Sequence, residues 1–194
     1  MKNSISAIAL LAVMISTNVL AKDDFPALKD ATVLIIRHAE KPENGSGLTP
    51  AGEERAKAYV NYFKNLTLDG QPVKLDSIFA AADSKKSQRP RLTIEPTSRA
   101  LGLPINSQFG DKDFKELAKE LAAKPHGKAI LIAWHHGEIP ALLTSLGAAP
   151  NDILPKGKWS EDVFGWMIEL RYDSDGHLAK ATLIKEKLMP DDEK

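Results

Sequence analysis

The run "TVLII", Thr32–Ile36, is continuously apolar and β-branched in character and stops abruptly at Arg37-His38. A strand with one wet face alternates polar and apolar residues, so an unbroken run of this kind is a strand covered on both faces, as in a parallel sheet. The chain repeats the device. "KAILIAW", Lys128–Trp134, stops at His135-His136, and a weaker run, "SIFAAA", spans Ser77–Ala82.

Helical stretches are expected between these strands. Thr49-Pro50 reads as a cap followed by proline at the first helical position, opening a helix over Ala51–Leu66 with Ala56, Tyr59, Val60 and Phe63 on one face. Two more are expected over Pro90–Leu101 and Asp113–Ala123, the latter with Phe114, Leu117, Ala118 and Leu121 at helical spacing. Strands alternating with helices predict an α/β fold, a three-layer α/β/α sandwich with a mostly parallel sheet. Val163–Tyr172 and Leu178–Lys187, joined through "DSDG", predict a C-terminal hairpin at one edge of that sheet. Ligand sites in such folds gather at the carboxyl ends of the strands. Arg37-His38 and His135-His136 both stand at such ends.

Four motifs, in order, resemble the histidine phosphatase superfamily, the phosphoglycerate mutase-like group. They are "LIIRHAE" at Leu34–Glu40, "LTPAGEERA" at Leu48–Ala56, "SKKSQRPRLT" at Ser84–Thr93 and "HGEIPALL" at His136–Leu143. The resemblance implies a phosphoglycerate mutase-like fold and phosphoryl transfer through a phosphohistidine. It assigns His38 as the nucleophile and Arg37, Arg89 and His136 as the cage on the phosphoryl oxygens. That chemistry suits the residue types: one imidazole nitrogen attacks phosphorus while the other donates to a backbone carbonyl, and guanidinium forks match phosphoryl oxygens. Two guanidiniums and an imidazole would supply the positive charge, so neither metal nor other cofactor is expected.

Several assignments have competitors. Arg91 competes with Arg89, although the family's threonine four residues on selects Arg89 with Thr93; His135 competes with His136, although the family's distal histidine is followed by glycine. Zinc held by His38, His135 and His136 is disfavoured, because an arginine beside His38 repels a cation and no HExxH or cysteine is present. The general acid that protonates the leaving alcohol is open among Glu138, Asp111, Asp113, Glu116 and Glu40. Asp111, Asp113 and Glu116 compete with a plain role at a helix start, Glu138 with capping the next helix, and Glu40 with orienting a side chain or water. A poor acid favours good leaving groups such as phosphohistidine, acyl phosphates or aryl phosphates.

The expectation is therefore a metal-independent phosphatase acting on a small phosphorylated substrate or a phosphoprotein. Mutase activity is disfavoured, because it requires a phosphoenzyme protected from water, and the segment after the second arginine is too short for a large lid. The alternative is a non-catalytic module that binds phosphate or a phosphosugar with the same arginine cage. A weaker third reading is an interaction protein using Trp159, Phe164 and Trp166.

Lys2, the apolar stretch Ile8–Ile15 and Val19-Leu20-Ala21 follow the order of a signal peptide cut after Ala21. Ser16, Thr17 and Asn18 break the stretch short of the roughly 20 residues that span a bilayer. Residues 1–21 are thus expected to be removed, leaving 22–194 as a single domain in the periplasm or outside the cell, with no membrane insertion. The chain has no cysteine, which excludes disulfides and thiol chemistry. Its 26 basic and 26 acidic residues leave a net charge near −1 once Lys2 is lost, which gives no whole-chain attraction to nucleic acid.

Overall fold

The computed structural model describes residues 25–193; the expected signal peptide, residues 1–21, lies outside the described residues. The elements in order are β1 (Thr32–Arg37), α1 (Pro50–Lys64), β2 (Thr67–Leu68), β3 (Gln71–Pro72), β4 (Ser77–Ala80), α2 (Arg89–Leu101), β5 (Ile105–Asn106), α3 (Phe114–Ala123), β6 (Ala129–Trp134), α4 (Ile139–Ser145), α5 (Pro150–Ile153), β7 (Trp166–Tyr172) and β8 (Leu178–Lys185).

One sheet runs β5-β4-β6-β1-β7-β8, and a separate two-strand ribbon joins β2 to β3. β5, β4, β6 and β1 are mutually parallel, whereas β7 runs antiparallel to β1 and β8 antiparallel to β7. The C-terminal hairpin is therefore an edge addition to a parallel core. Each strand of the expected set is present. β4 ends at Ala80 rather than Ala82: the Ala81 amide still donates to the Ala133 carbonyl of β6, but the Ala82 amide turns to the Phe109 carbonyl in the segment between β5 and α3.

Side chains of β1 divide between the two faces. Leu34 and Ile36 pack with Tyr59 and Phe63 of α1 and Ile94 of α2, while Val33 and Ile35 pack with Leu117 and Leu121 of α3 and Leu142 and Leu143 of α4. β6 does the same, with Leu131 and Ala133 on the first face and Ile130, Ile132 and Trp134 on the second. Both runs are unbroken because both faces of the sheet are covered. At about 25 cal/mol per Å² of apolar surface, this two-sided burial is the main favourable contribution to folding.

The helix starts follow their sequence signals. Thr49 Oγ1 accepts from the Gly52 amide at 3.1 Å and Pro50 takes the first helical position of α1. Gly102, at φ +68°, ends α2 in the left-handed conformation that glycine adopts without strain. No helix among the described residues is long and apolar enough to cross a membrane.

Candidate active site

β1 and β6 are paired in parallel with Arg37 opposite Trp134, so the residues that follow them emerge side by side at one edge. The ring centroids of His38 and His135 lie 5.2 Å apart, and those of His38 and His136 lie 6.2 Å apart. Arg89, the first residue of α2, is close enough for its charge to act on both His38 and His135. The residues singled out from three separate motifs thus converge.

His38 is 2% exposed. Its Nδ1 lies 2.7 Å from the Ala39 carbonyl oxygen, which can only accept, so the proton resides on Nδ1 and the Nε2 lone pair is free. Burial, with help from the positive charge of Arg37, pushes its pKa down to about 3. The imidazole is therefore neutral across the whole physiological range, with an unprotonated Nε2.

The Ala39 peptide is itself held. Its amide donates to Thr93 Oγ1 at 2.8 Å, and that hydroxyl donates to the Arg89 carbonyl at 2.8 Å. Thr93 thus ties the segment after β1 to the start of α2. Thr93→Val, which keeps the shape and removes the acceptor, should cost about 1–3 kcal/mol by stranding a buried amide. With the loop loosened, kcat for any phosphoryl transfer at His38 should fall roughly tenfold; urea unfolding and steady-state kinetics read the two effects.

Arg37 is 1% exposed and differs from the sequence expectation in how its fork is used. One terminal nitrogen, Nη1, donates to three backbone carbonyls, those of Ser160, Glu161 and Val163, at 2.8–3.1 Å. The guanidinium also lies 3.9 Å over the ring of Phe164. Only Nη2 and the buried, unpartnered Nε remain for a ligand. Nη2 sits 3.3 Å from Nδ1 of His136. Since a guanidinium only donates, that nitrogen accepts, and neutral His136 carries its proton on Nε2 as a donor. Burial lowers the Arg37 pKa to about 10, which leaves it a cation at neutral pH. Burial and the Arg37 charge both lower His136.

Arg89 Nη1 makes two long bonds, 3.3 Å each, to the carbonyls of Gly45 and Lys86, and its Nε is buried without a partner. Arg91, the competing arginine, is bound elsewhere: it pairs with Asp83 at 2.9 Å and Glu95 at 3.6 Å. Arg89 therefore is the arginine that faces the histidines.

The carboxylates singled out for the acid role differ in what holds them. Glu40 is held by three bonds from Arg55. Glu138 occupies the N-cap position of α4 but makes no side-chain cap bond; it pairs with Lys112. Asp113 accepts from the Gly110 amide, and Glu116 is exposed in the first turn of α3. Asp111 is exposed, and its charge, with that of Glu138, reaches His135. Sequence reasoning missed Glu161, whose charge reaches both Arg37 and His136. It also missed the loop 160–164 as the seat of Arg37; no local pattern marks residues that act through their carbonyls. Beside His136 opens a cleft of about 560 Å³ lined by Gly137, Pro140, Lys158, Trp159 and Glu161 among others. Trp159 is 4% exposed and packs against Trp166, so these rings are core rather than a free docking surface.

Searches of protein-family models and of curated proteins find no match. Solved structures do match. A phosphoglycerate mutase from Plasmodium falciparum superposes with a TM-score of 0.53 at 16% identity, over 81% of this chain and 91% of that one. The fold is phosphoglycerate mutase-like. The proposed phosphohistidine phosphatase SixA from Agrobacterium tumefaciens superposes with a TM-score of 0.50 at 19% identity, over 78% of this chain and 97% of that one. At such identities the likeness speaks for architecture, and the chemistry rests on the site itself.

The burial of His38 also sets an expected pH dependence of stability. His38 is neutral when folded down to about pH 3, whereas an unfolded histidine protonates near 6.5. Between those values the unfolded chain binds the extra proton, so this group's contribution to stability is present above pH 6.5 and is lost as the pH falls toward 3. The slope should approach about 1.4 kcal/mol per pH unit. Urea unfolding from pH 7 to 4 should show that loss in the wild type and a shallower one in His38→Ala.

Proposed function

We propose that the chain is a metal-independent phosphatase that hydrolyses a phosphomonoester or a phosphoprotein in two steps through phospho-His38. The observation that carries this reading is the buried His38 ring, its Nδ1 locked on the Ala39 carbonyl and its other nitrogen free among Arg89, His135 and His136. In the first step His38 Nε2 attacks phosphorus and the bond from phosphorus to the leaving group breaks, P–O for an ester or acyl phosphate and P–N for a phosphohistidine. In the second, water attacks the phosphohistidine and returns the imidazole. Arg89, Arg37 Nη2 and His136 Nε2–H stabilise the charge spread over the equatorial oxygens.

Good leaving groups are favoured. Of the carboxylates beside the site, Glu40 is bound to Arg55 and Glu138 to Lys112, while Asp111 and Glu161 act by charge on His135 and His136. Aryl phosphates, acyl phosphates and phosphohistidine depend least on protonation of the departing group. The open cleft beside His136 gives such a group room.

Rapid quenching with an activated aryl phosphate, in chelator, followed by mass spectrometry tests the mechanism. A phosphoryl group on His38 with turnover is expected. Phosphate binding without label or turnover would instead support the binding-module reading. We further propose export to the periplasm or beyond, on the order of residues 1–21; a mature chain beginning at Lys22 in the envelope or medium fraction is the expected finding, and an intact Met1 in the cytosol the contrary one.

A further inference from the structure

The Arg55 side chain, on the inner face of α1, is buried, yet the motif reading gives it no role. Its guanidinium grips two carboxylates at once. Toward Glu40, Nε donates to both carboxylate oxygens at 2.9 and 3.2 Å, and Nη2 donates to Oε1 at 2.8 Å. Toward Asp192, Nη1 and Nη2 donate to Oδ2 and Oδ1, each at 2.8 Å. The Arg55 and Asp192 side chains are each 3% exposed, and that of Glu40 is 21%. Exposed pairs contribute little, but a forked, desolvated pair fixes geometry.

Asp192 belongs to the segment that follows β8. Its Oδ2 also accepts from the Leu188 and Met189 amides, so the carboxylate organises the turn that carries it. That turn packs against Gly165, where an added Cβ would stand 2.3 Å from Asp192 Cγ. The chain thus returns from the far edge strand to the end of β1 and is fastened there.

Glu40 follows the nucleophile by two residues. The Ala39–Glu40 peptide presents the carbonyl that receives His38 Nδ1–H. That peptide is pinned before the carbonyl by Ala39 N–H to Thr93, and beyond it by the Thr49 amide to the Glu40 carbonyl at 3.0 Å and by the Arg55 clamp on the Glu40 side chain. Rotation of this peptide would withdraw the acceptor from His38 and let the proton move to Nε2, the nitrogen that must be bare to attack.

We infer that Arg55 is a positioning residue: fastened by Asp192 from the segment after β8, it holds Glu40 and the Ala39–Glu40 peptide so that His38 keeps its proton on Nδ1 and its Nε2 free. The catalytic meaning rests on the phosphatase reading, whereas the tautomer does not. The guanidinium fork is required, because an ammonium is a point charge that meets one carboxylate at a time.

The test reads the tautomer directly, by two-bond ¹H–¹⁵N correlation of the imidazoles in the ligand-free protein, alongside kinetics on an aryl phosphate. Arg55→Lys and Asp192→Asn are the variants; the second changes a single atom and carries the test should the first not fold. The wild type should show His38 as the Nδ1–H form. Each variant should shift that signature toward a mixture and lower kcat roughly tenfold to 100-fold, with KM within about threefold, because the phosphate cage is untouched. A residue that merely stabilised the fold would lower the thermal midpoint and leave the signature in place. An unchanged Nδ1–H signature in the folded variants overturns the inference. A shifted signature with no turnover in the wild type leaves the inference standing and removes the phosphatase reading instead.

Discussion

His38→Ala is expected to lower phosphatase turnover by at least about three orders of magnitude while leaving the binding of inorganic phosphate within a fewfold of wild type. The first half follows from the ring's role as the only proposed nucleophile: with Nε2 gone, water must attack the substrate directly in a cage built for in-line transfer to a side chain. The second follows from where the positive charge sits. Arg37 and Arg89 are separate from the imidazole, and His136 keeps its proton donor through its bond to Arg37. Removing a neutral ring does not remove the cage. Steady-state rates and phosphate titration by calorimetry give both numbers. Near-normal turnover in His38→Ala would end the phosphohistidine mechanism. Equal phosphate affinity with no turnover in either protein would favour a binding module.

Arg37→Ala and Arg89→Ala are expected to lose similar activity and to differ sharply in stability. Both remove a cation from the proposed phosphoryl site, at a cost of roughly 10²–10³ in kcat/KM. Arg37, itself 1% exposed, however also satisfies the carbonyls of Ser160, Glu161 and Val163 and lies flat on Phe164, so that it anchors this partly covered loop from beneath. Its loss removes three charge-assisted bonds to the loop and opens space where a fully buried side chain stood, so several kcal/mol should go with it. For a chain of this size that is a fall in thermal midpoint of roughly 5–10 °C. Arg89 makes only two bonds of 3.3 Å. Arg89→Ala should unfold within about 2 °C of wild type. Matched midpoints in the two variants would mean that Arg37 does not anchor the loop.

The difference between those arginines also shows where sequence reasoning reaches its limit. Arg37 and Arg89 look alike in the motifs, each a cation beside the proposed chemistry. Packing separates them, because only Arg37 lies beneath the segment 160–164, more than 120 residues away along the chain. The acid candidates divide for the same reason. Glu40 is two residues from His38 and looks well placed, yet Arg55 and, through it, Asp192 occupy it. The buried pair of Tyr59 and Glu186 beneath that network, joined at 2.8 Å, has no local signature either. Burial pushes Glu186 up to about 8, which keeps it protonated near neutrality beside the Asp192 charge.

The sequence by itself determined the layered α/β architecture and the edge on which the chemistry gathers. Hydrophobic periodicity is a local signal, and the unbroken runs at Thr32–Ile36 and Lys128–Trp134 can be buried on both sides in few ways. Once two such strands pair in parallel, His38 and His135-His136 must share an edge. Only the tertiary structure decided what each polar group at that edge is bonded to. Those bonds join residues from β1, α1, α2, the loop 160–164 and the segment after β8, and a directional bond of about 3 Å is set by how all five settle against one core. No stretch of sequence carries that distance.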